Sequence, residues 1–189
     1  SGVPRLITVA MMRDGAKLQS YLTLARLLDR CRNEDWTLSI IGDGPCRAEV
    51  AAAFAGLPEG RIIWRGQLDR EAIQAELGRH DIFLWPGIGE AYGLVYLEAQ
   101  AAGLPVVAFD SGGVAETVRS GETALLAPEH DEEALAAALT DLLRDNERRD
   151  RMGAAARRFI LTERTPARAA ERLAEGLALA KRNRSAKVQ

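Results

Sequence analysis

Six short apolar runs, each closed by a turn residue and each followed by a stretch with helical spacing, constrain this chain more than any other feature. They are Arg5–Ala10, Trp36–Ile41, Arg61–Arg65, Asp81–Trp85, Pro105–Phe109 and Thr123–Ala127. Their apolar residues run on where a half-exposed strand would alternate, the pattern of strands covered on both faces. Strands alternating with helices over the whole length predict one α/β domain, a doubly wound sheet of about six strands, mainly parallel, with helices on both faces. In such a sheet the ligand is expected outside the carboxyl ends of the strands.

The intervening stretches read as helices on their own signals. Lys17 to Arg32 keeps Leu18, Leu22, Ala25 and Leu28 at helical spacing. Pro45 opens the second helix, and Asp69 caps a third that runs to about Leu77. A fourth starts near Tyr92 and stops at Gly103, ahead of Pro105. Asp110-Ser-Gly-Gly113 turns into a short helix through Glu116 and Val118. From Asp131 the inward positions are Leu135, Leu139, Leu142 and Leu143, and a further amphipathic segment carries Met152, Ala156 and Phe159. Thr165-Pro166 starts a last helix past Leu173 and Leu177. The tail from Lys181 is polar, and 183–189 is expected to fray.

Composition excludes several classes. A net charge of −2 offers no basic surface for nucleic acid. No apolar run approaches the length of a membrane span, and no signal peptide is visible, so no transmembrane segment and a cytoplasmic location are expected. The two cysteines, Cys31 and Cys46, lack metal-site spacing and read as structural. No Asp-x-Asp motif offers a metal site either. Trp64 and Trp85 read as core residues. The start at Ser1-Gly2 without a Met suggests an excised or tagged fragment, with processing as the alternative.

The turns narrow the chemistry. No G-x-G-x-x-G follows the first strand, which weighs against a dinucleotide cofactor, and the acidic pair of a phosphoacceptor domain is missing. Met11-Met-Arg-Asp-Gly-Ala-Lys17 instead places Arg13 and Lys17 there, and a basic turn at the edge of such a sheet suits a diphosphate. Gly42-Asp-Gly-Pro45 has Arg47 where a third glycine would complete a fingerprint, and reads as a turn. After the fourth run comes Pro86-Gly-Ile-Gly-Glu-Ala-Tyr-Gly93, with Glu90 on a glycine-rich loop at a helix N-terminus, where backbone N–H groups attract anions. On a wheel at 100° per residue the fourth helix shows Leu94, Leu97, Ala101 and Ala102 as its apolar face, with Tyr96, Ala99 and Gln100 opposite. Glu98 falls in the middle of that apolar face, where a carboxylate is expected to need a partner or to keep its proton.

This stretch carries a resemblance. Glu90-x7-Glu98 enclosing Tyr92-Gly93-Leu94, followed by Ala102-Gly-Leu-Pro-Val-Val107, Asp110-Ser-Gly-Gly-Val-Ala-Glu116 and Gly121-Glu-Thr-Ala-Leu-Leu-Ala-Pro128, resembles the donor site of retaining glycosyltransferases of family 4. Those enzymes pair two Rossmann-like domains across a cleft (the GT-B fold), and the resemblance implies that residues 1–189 form the C-terminal, nucleotide-sugar-binding one. It implies roles as well: Glu90 as the catalytic carboxylate on the sugar hydroxyls, the amides of Ala91, Tyr92, Gly93 and Leu94 as donors to the ligand, and Glu98 on the ribose. Lys17 and Arg13 would hold the diphosphate, and the strand end at Gly66 and Gln67 would line the nucleobase pocket. The family Arg that follows the first strand is replaced here by Met11, which shifts that role to Arg13. The implied reaction moves a sugar from a UDP-, GDP- or ADP-linked donor to a glycan, lipid or small-molecule acceptor. It retains anomeric configuration through an oxocarbenium-like transition state and needs no metal or other cofactor. The acceptor-binding N-terminal domain would be the natural partner, and the route by which the enzyme reaches the inner membrane face. A nucleotide-sugar epimerase or a phosphorylase on a related scaffold, and a non-catalytic nucleotide-binding module, remain alternatives on the residues alone.

Overall fold

The computed structural model describes residues 2–165, 167–171 and 173–177. All six expected strands form: β1 Arg5–Val9, β2 Thr37–Ile41, β3 Ile62–Gly66, β4 Ile82–Leu84, β5 Val106–Asp110 and β6 Ala124–Pro128. Each lies within one or two residues of its apolar run. They pair in parallel in the order β3-β2-β1-β4-β5-β6. This is the doubly wound order in which the chain reverses direction across the sheet between the first and fourth strands, opening a crevice there.

The helices are α1 Ala16–Arg30, α2 Arg47–Phe54, α3 Arg70–Leu77, α4 Leu94–Ala101, α5 Val114–Thr117, α6 Glu132–Arg144 and α7 Asn146–Glu163. Aspartates cap three of them. Asp69 accepts from the Ala72 amide, Asp131 from Ala134 and Asp145 from Arg148, each contributing about 1 kcal/mol to its helix. Pro45 does not open α2; it sits in the turn, and Cys46 takes the cap position. Helical backbone also covers 167–171 and 173–177, with the Arg168 amide 3.3 Å from Thr165 Oγ1. Pro166 and the tail from Lys181, including the fraying expected over 183–189, lie outside the described residues.

Two layers of core flank the sheet. Leu6, Ile7, Leu38, Ile40, Ile82, Phe83, Leu84, Val106, Val107 and Phe109 are closed to solvent or nearly so, as strands covered on both faces must be. Trp85 is fully buried, edge-on to Tyr21 at 4.8 Å. Trp64 is half-buried against Phe54, with the Arg47 guanidinium 3.7 Å from its ring centroid. Cys31 is buried and Cys46 half-buried, and both are unbridged.

The fourth helix corrects the wheel. Tyr96, Ala99 and Gln100 face inward, all three with no exposed surface, whereas Leu94 is 67 % exposed and Ala101 and Glu98 are exposed too. The inner face is polar in composition but fully satisfied. Tyr96 Oη donates to Trp85 O at 3.2 Å, Gln100 Nε2 donates to Thr117 O at 2.8 Å and Tyr96 O at 3.0 Å, and Thr123 Oγ1 donates to Gln100 Oε1 at 2.7 Å. A buried amide with all these partners costs little, and the Tyr96 ring meets Phe83 edge-on at 5.6 Å. Glu98 therefore does not sit in an apolar interior.

Candidate functional site

The carboxyl ends of β1, β2 and β3 and the loop between β4 and α4 enclose a cavity of about 560 Å³. Val9, Ala10, Ile41, Leu68 and Ile73 give it an apolar floor, while Lys17, Asp43, Gln67, Glu90 and Glu98 supply its polar groups. Of the sequence-predicted residues, Lys17, Gln67, Glu90, Tyr92, Leu94 and Glu98 come together on this wall. Arg13 does not line it and stays exposed on the same turn; the wall there is Met11, 58 % exposed. Gly66 stands just behind, its carbonyl accepting the Gly42 amide at 2.8 Å, and Gly93 caps α4 with φ 63°. A groove of the same volume runs between α1 and α2, but its Arg26 and Arg30 are already paired with Glu132 and it lies on the helices, away from the strand ends.

One ion pair spans the crevice. Lys17 Nζ, at the start of α1, lies 2.6 Å from Glu90 Oε2 on the β4–α4 loop and 5.6 Å from the Trp85 ring centroid. Both side chains are mostly covered, 22 % and 16 % exposed. Burial alone would push the Glu90 carboxyl up; the Lys17 ammonium and the amides of Gly93 and Tyr92 directed at it outweigh that, and hold it below the usual carboxylate range. The cation and amides that suit an anionic ligand are thus engaged by the protein's own carboxylate. Glu98 points a charge into the same cavity and has no hydrogen-bond or ion-pair partner among the described residues. Tyr92, 79 % exposed, and Leu94 form an apolar rim.

The backbone fixes this arrangement by close approach. Gly87, Gly89 and Gly93 all have positive φ, which gives the loop its bend before α4. The Gly113 amide bonds Glu90 O at 2.7 Å, and a Cβ on Gly112 would stand 2.3 Å from that same oxygen. Sequence reasoning found the Asp110-Ser-Gly-Gly113 turn without its task. It missed Ser20, Ser111 and Glu129, which support the loop from three separate elements and leave no local signal.

A parallel sheet in this order, with its cavity at the reversal point, charged groups on the two facing loops and a helix N-terminus between them, defines a Rossmann-like domain. Solved structures agree on the fold. Sucrose-phosphate synthase from Thermosynechococcus elongatus superposes with a TM-score of 0.76 at 27 % identity, covering 94 % of this chain and 46 % of that one. The C-terminal domain of the group 1 glycosyl transferase LpcC from Francisella tularensis gives 0.69 at 23 % identity, covering 87 % of this chain and 89 % of that one. The sheet is that of a GT-B glycosyltransferase domain. Residues 2–159 match the family described as Glycosyl transferases group 1, and the chain belongs to it. Among curated relatives, the GDP-mannose-dependent alpha-(1-6)-phosphatidylinositol monomannoside mannosyltransferase of Mycolicibacterium smegmatis is 38 % identical over 141 residues, 70 % of this chain and 37 % of its own length. The chain spans well under half of that relative.

Proposed function

We propose that the chain is the nucleotide-sugar-binding, C-terminal domain of a retaining glycosyltransferase of family 4. The observation that carries this is the convergence of Lys17, Glu90 and Glu98 on one cavity at the β1/β4 reversal. A diphosphate fits between Lys17 and the amides at the start of α4, an anion beside a cation and a helix N-terminus. The ribose diol then meets Glu98, and the base reaches the apolar end near Gln67, Leu68 and Ile73. The sugar extends toward Glu90, whose carboxylate takes its hydroxyls once the diphosphate shares Lys17.

As the glycosidic bond to the leaving diphosphate breaks, charge builds on its oxygens, and Lys17 with the α4 amides is placed in advance to meet it. The exposed apolar rim of Tyr92, Leu94 and Met11 fits a surface that an acceptor-binding N-terminal domain would cover. Proximity and orientation are worth about 7–11 kcal/mol in a complete site, so this domain alone is expected to bind donor and transfer little. Metal-free transfer belongs to the same reading.

The test is a calorimetric screen of UDP-, GDP- and ADP-sugars, with GDP-mannose included because the mycobacterial relative is named for it. Product formed with the partner domain present is then assigned by NMR, without added divalent metal. One donor class is expected to bind and its product to keep the donor's anomeric configuration. No binding by any donor contradicts the donor-site reading, and an inverted product contradicts retention.

A further inference from the structure

The loop 87–93 carries Glu90 but holds itself weakly, since its three glycines give it much freedom to lose on folding. Two buried serines grip it from opposite sides. Ser20 Oγ, on α1, accepts the Ile88 amide at 3.1 Å and donates to Ala16 O at 2.8 Å. Ser111 Oγ, just after β5 and 2 % exposed, accepts the Gly89 amide at 3.1 Å and donates to Glu129 Oε1 at 2.5 Å. Glu129 follows directly on β6. The neighbouring amide of Glu90 bonds only within the loop, to Gly87 O.

We propose that Ser111, oriented by Glu129, is a positioning residue for Glu90, an inference that rests on the donor-site reading above. A serine hydroxyl has one proton to give. Glu129, an anion, fixes where that proton points through a charge-assisted bond, which turns a lone pair of Oγ toward Gly89. Ser111 thereby fixes the residue just before Glu90, Ser20 of α1 holds Ile88, and Lys17 meets the Glu90 carboxylate from α1. The ends of β5 and β6 thus act on the sugar-facing carboxylate through Gly89, whereas Lys17 of α1 and the amides at the start of α4 face the diphosphate. Neither Ser111 nor Glu129 lines the donor cavity.

The test uses the full chain as wild type, Ser111→Ala, Ser111→Thr, Glu129→Ala and the Ser111→Ala/Glu129→Ala double variant. Amide hydrogen exchange reads the loop, and calorimetry reads the nucleoside diphosphate that the donor screen identifies alongside its sugar conjugate. Ser111→Ala is expected to speed exchange across 87–93 and weaken the sugar conjugate roughly threefold to tenfold more than the bare diphosphate, the range one such hydrogen bond spans. Ser111→Thr keeps the hydroxyl and should stay near wild type; the double variant should be no worse than Ser111→Ala alone. Unchanged exchange in Ser111→Ala, or equal loss for both ligands, would overturn the positioning role. Failure of the wild type to bind either ligand would instead overturn the donor-site reading, and this role with it.

Discussion

Lys17 and Glu90 pair across the gap between β1 and β4, so the diphosphate proposed to bind there would have to share the ammonium with a carboxylate already in place. Glu98 is in the opposite position, a carboxylate exposed in the cavity with no partner among the described residues. Glu98→Gln should therefore lower donor affinity while leaving stability within about 0.5 kcal/mol of wild type. Thermal melts beside calorimetry separate these, and a destabilised variant with unchanged binding would make the residue structural. His80 offers an independent check on the packing. Its Nδ1 lies 2.5 Å from Glu76 O and its Nε2 2.9 Å from Ser39 Oγ. Burial lowers its pKa and the charges of Arg5 and Arg65 add to that, against the raising effect of Glu76. The folded state then binds fewer protons than the unfolded chain, so this contribution is complete above about pH 6.5 and is lost as pH falls through the lowered value. Chemical denaturation between about pH 7.5 and pH 5 should show stability declining with acid, with a shallower slope in His80→Gln. Parallel slopes would contradict it.

At the scale of elements, α4 decides whether the site is read correctly. The hydrophobic pattern puts Leu94 and Leu97 inside, but the structure turns Tyr96 and Gln100 inward and leaves Leu94 on the cavity wall. Hydrophobicity misled here because the inner partners of α4 are hydrogen-bonding groups from distant segments, Thr117 O and Thr123 Oγ1, which no local window contains. An exposed leucine facing a cleft is equally invisible to a scale that assumes apolar means buried. Gln100→Leu leaves the Thr117 carbonyl without its donor and the Thr123 hydroxyl proton without its acceptor, and should cost about 1–3 kcal/mol per group left unpaired. A neutral effect in urea denaturation would support the opposite orientation of α4. The Asp69 cap, by contrast, was legible, because its side chain acts within three residues of itself.

Over the whole molecule, the strands were readable because parallel strands buried on both faces leave uninterrupted apolar runs, and β1 to β6 fall on them. The placement of Lys17 beside Glu90 comes from the strand order, in which β1 and β4 are neighbours at the reversal. What pattern could not give was reach. Arg13 and Lys17 share one turn, yet only the residue at the start of α1 turns into the crevice. The support of the Glu90 loop by Ser20, Ser111 and Glu129 likewise depends on contacts across 68, 22 and 18 residues of sequence. The central claim is that this reversal point binds a nucleoside diphosphate through Lys17. Calorimetric titration of wild type and Lys17→Ala with the nucleoside diphosphate of the bound donor tests it most directly. The account predicts binding by the wild type and a loss of at least about tenfold in Lys17→Ala, or about 1.4 kcal/mol; equal dissociation constants for the two proteins would contradict it.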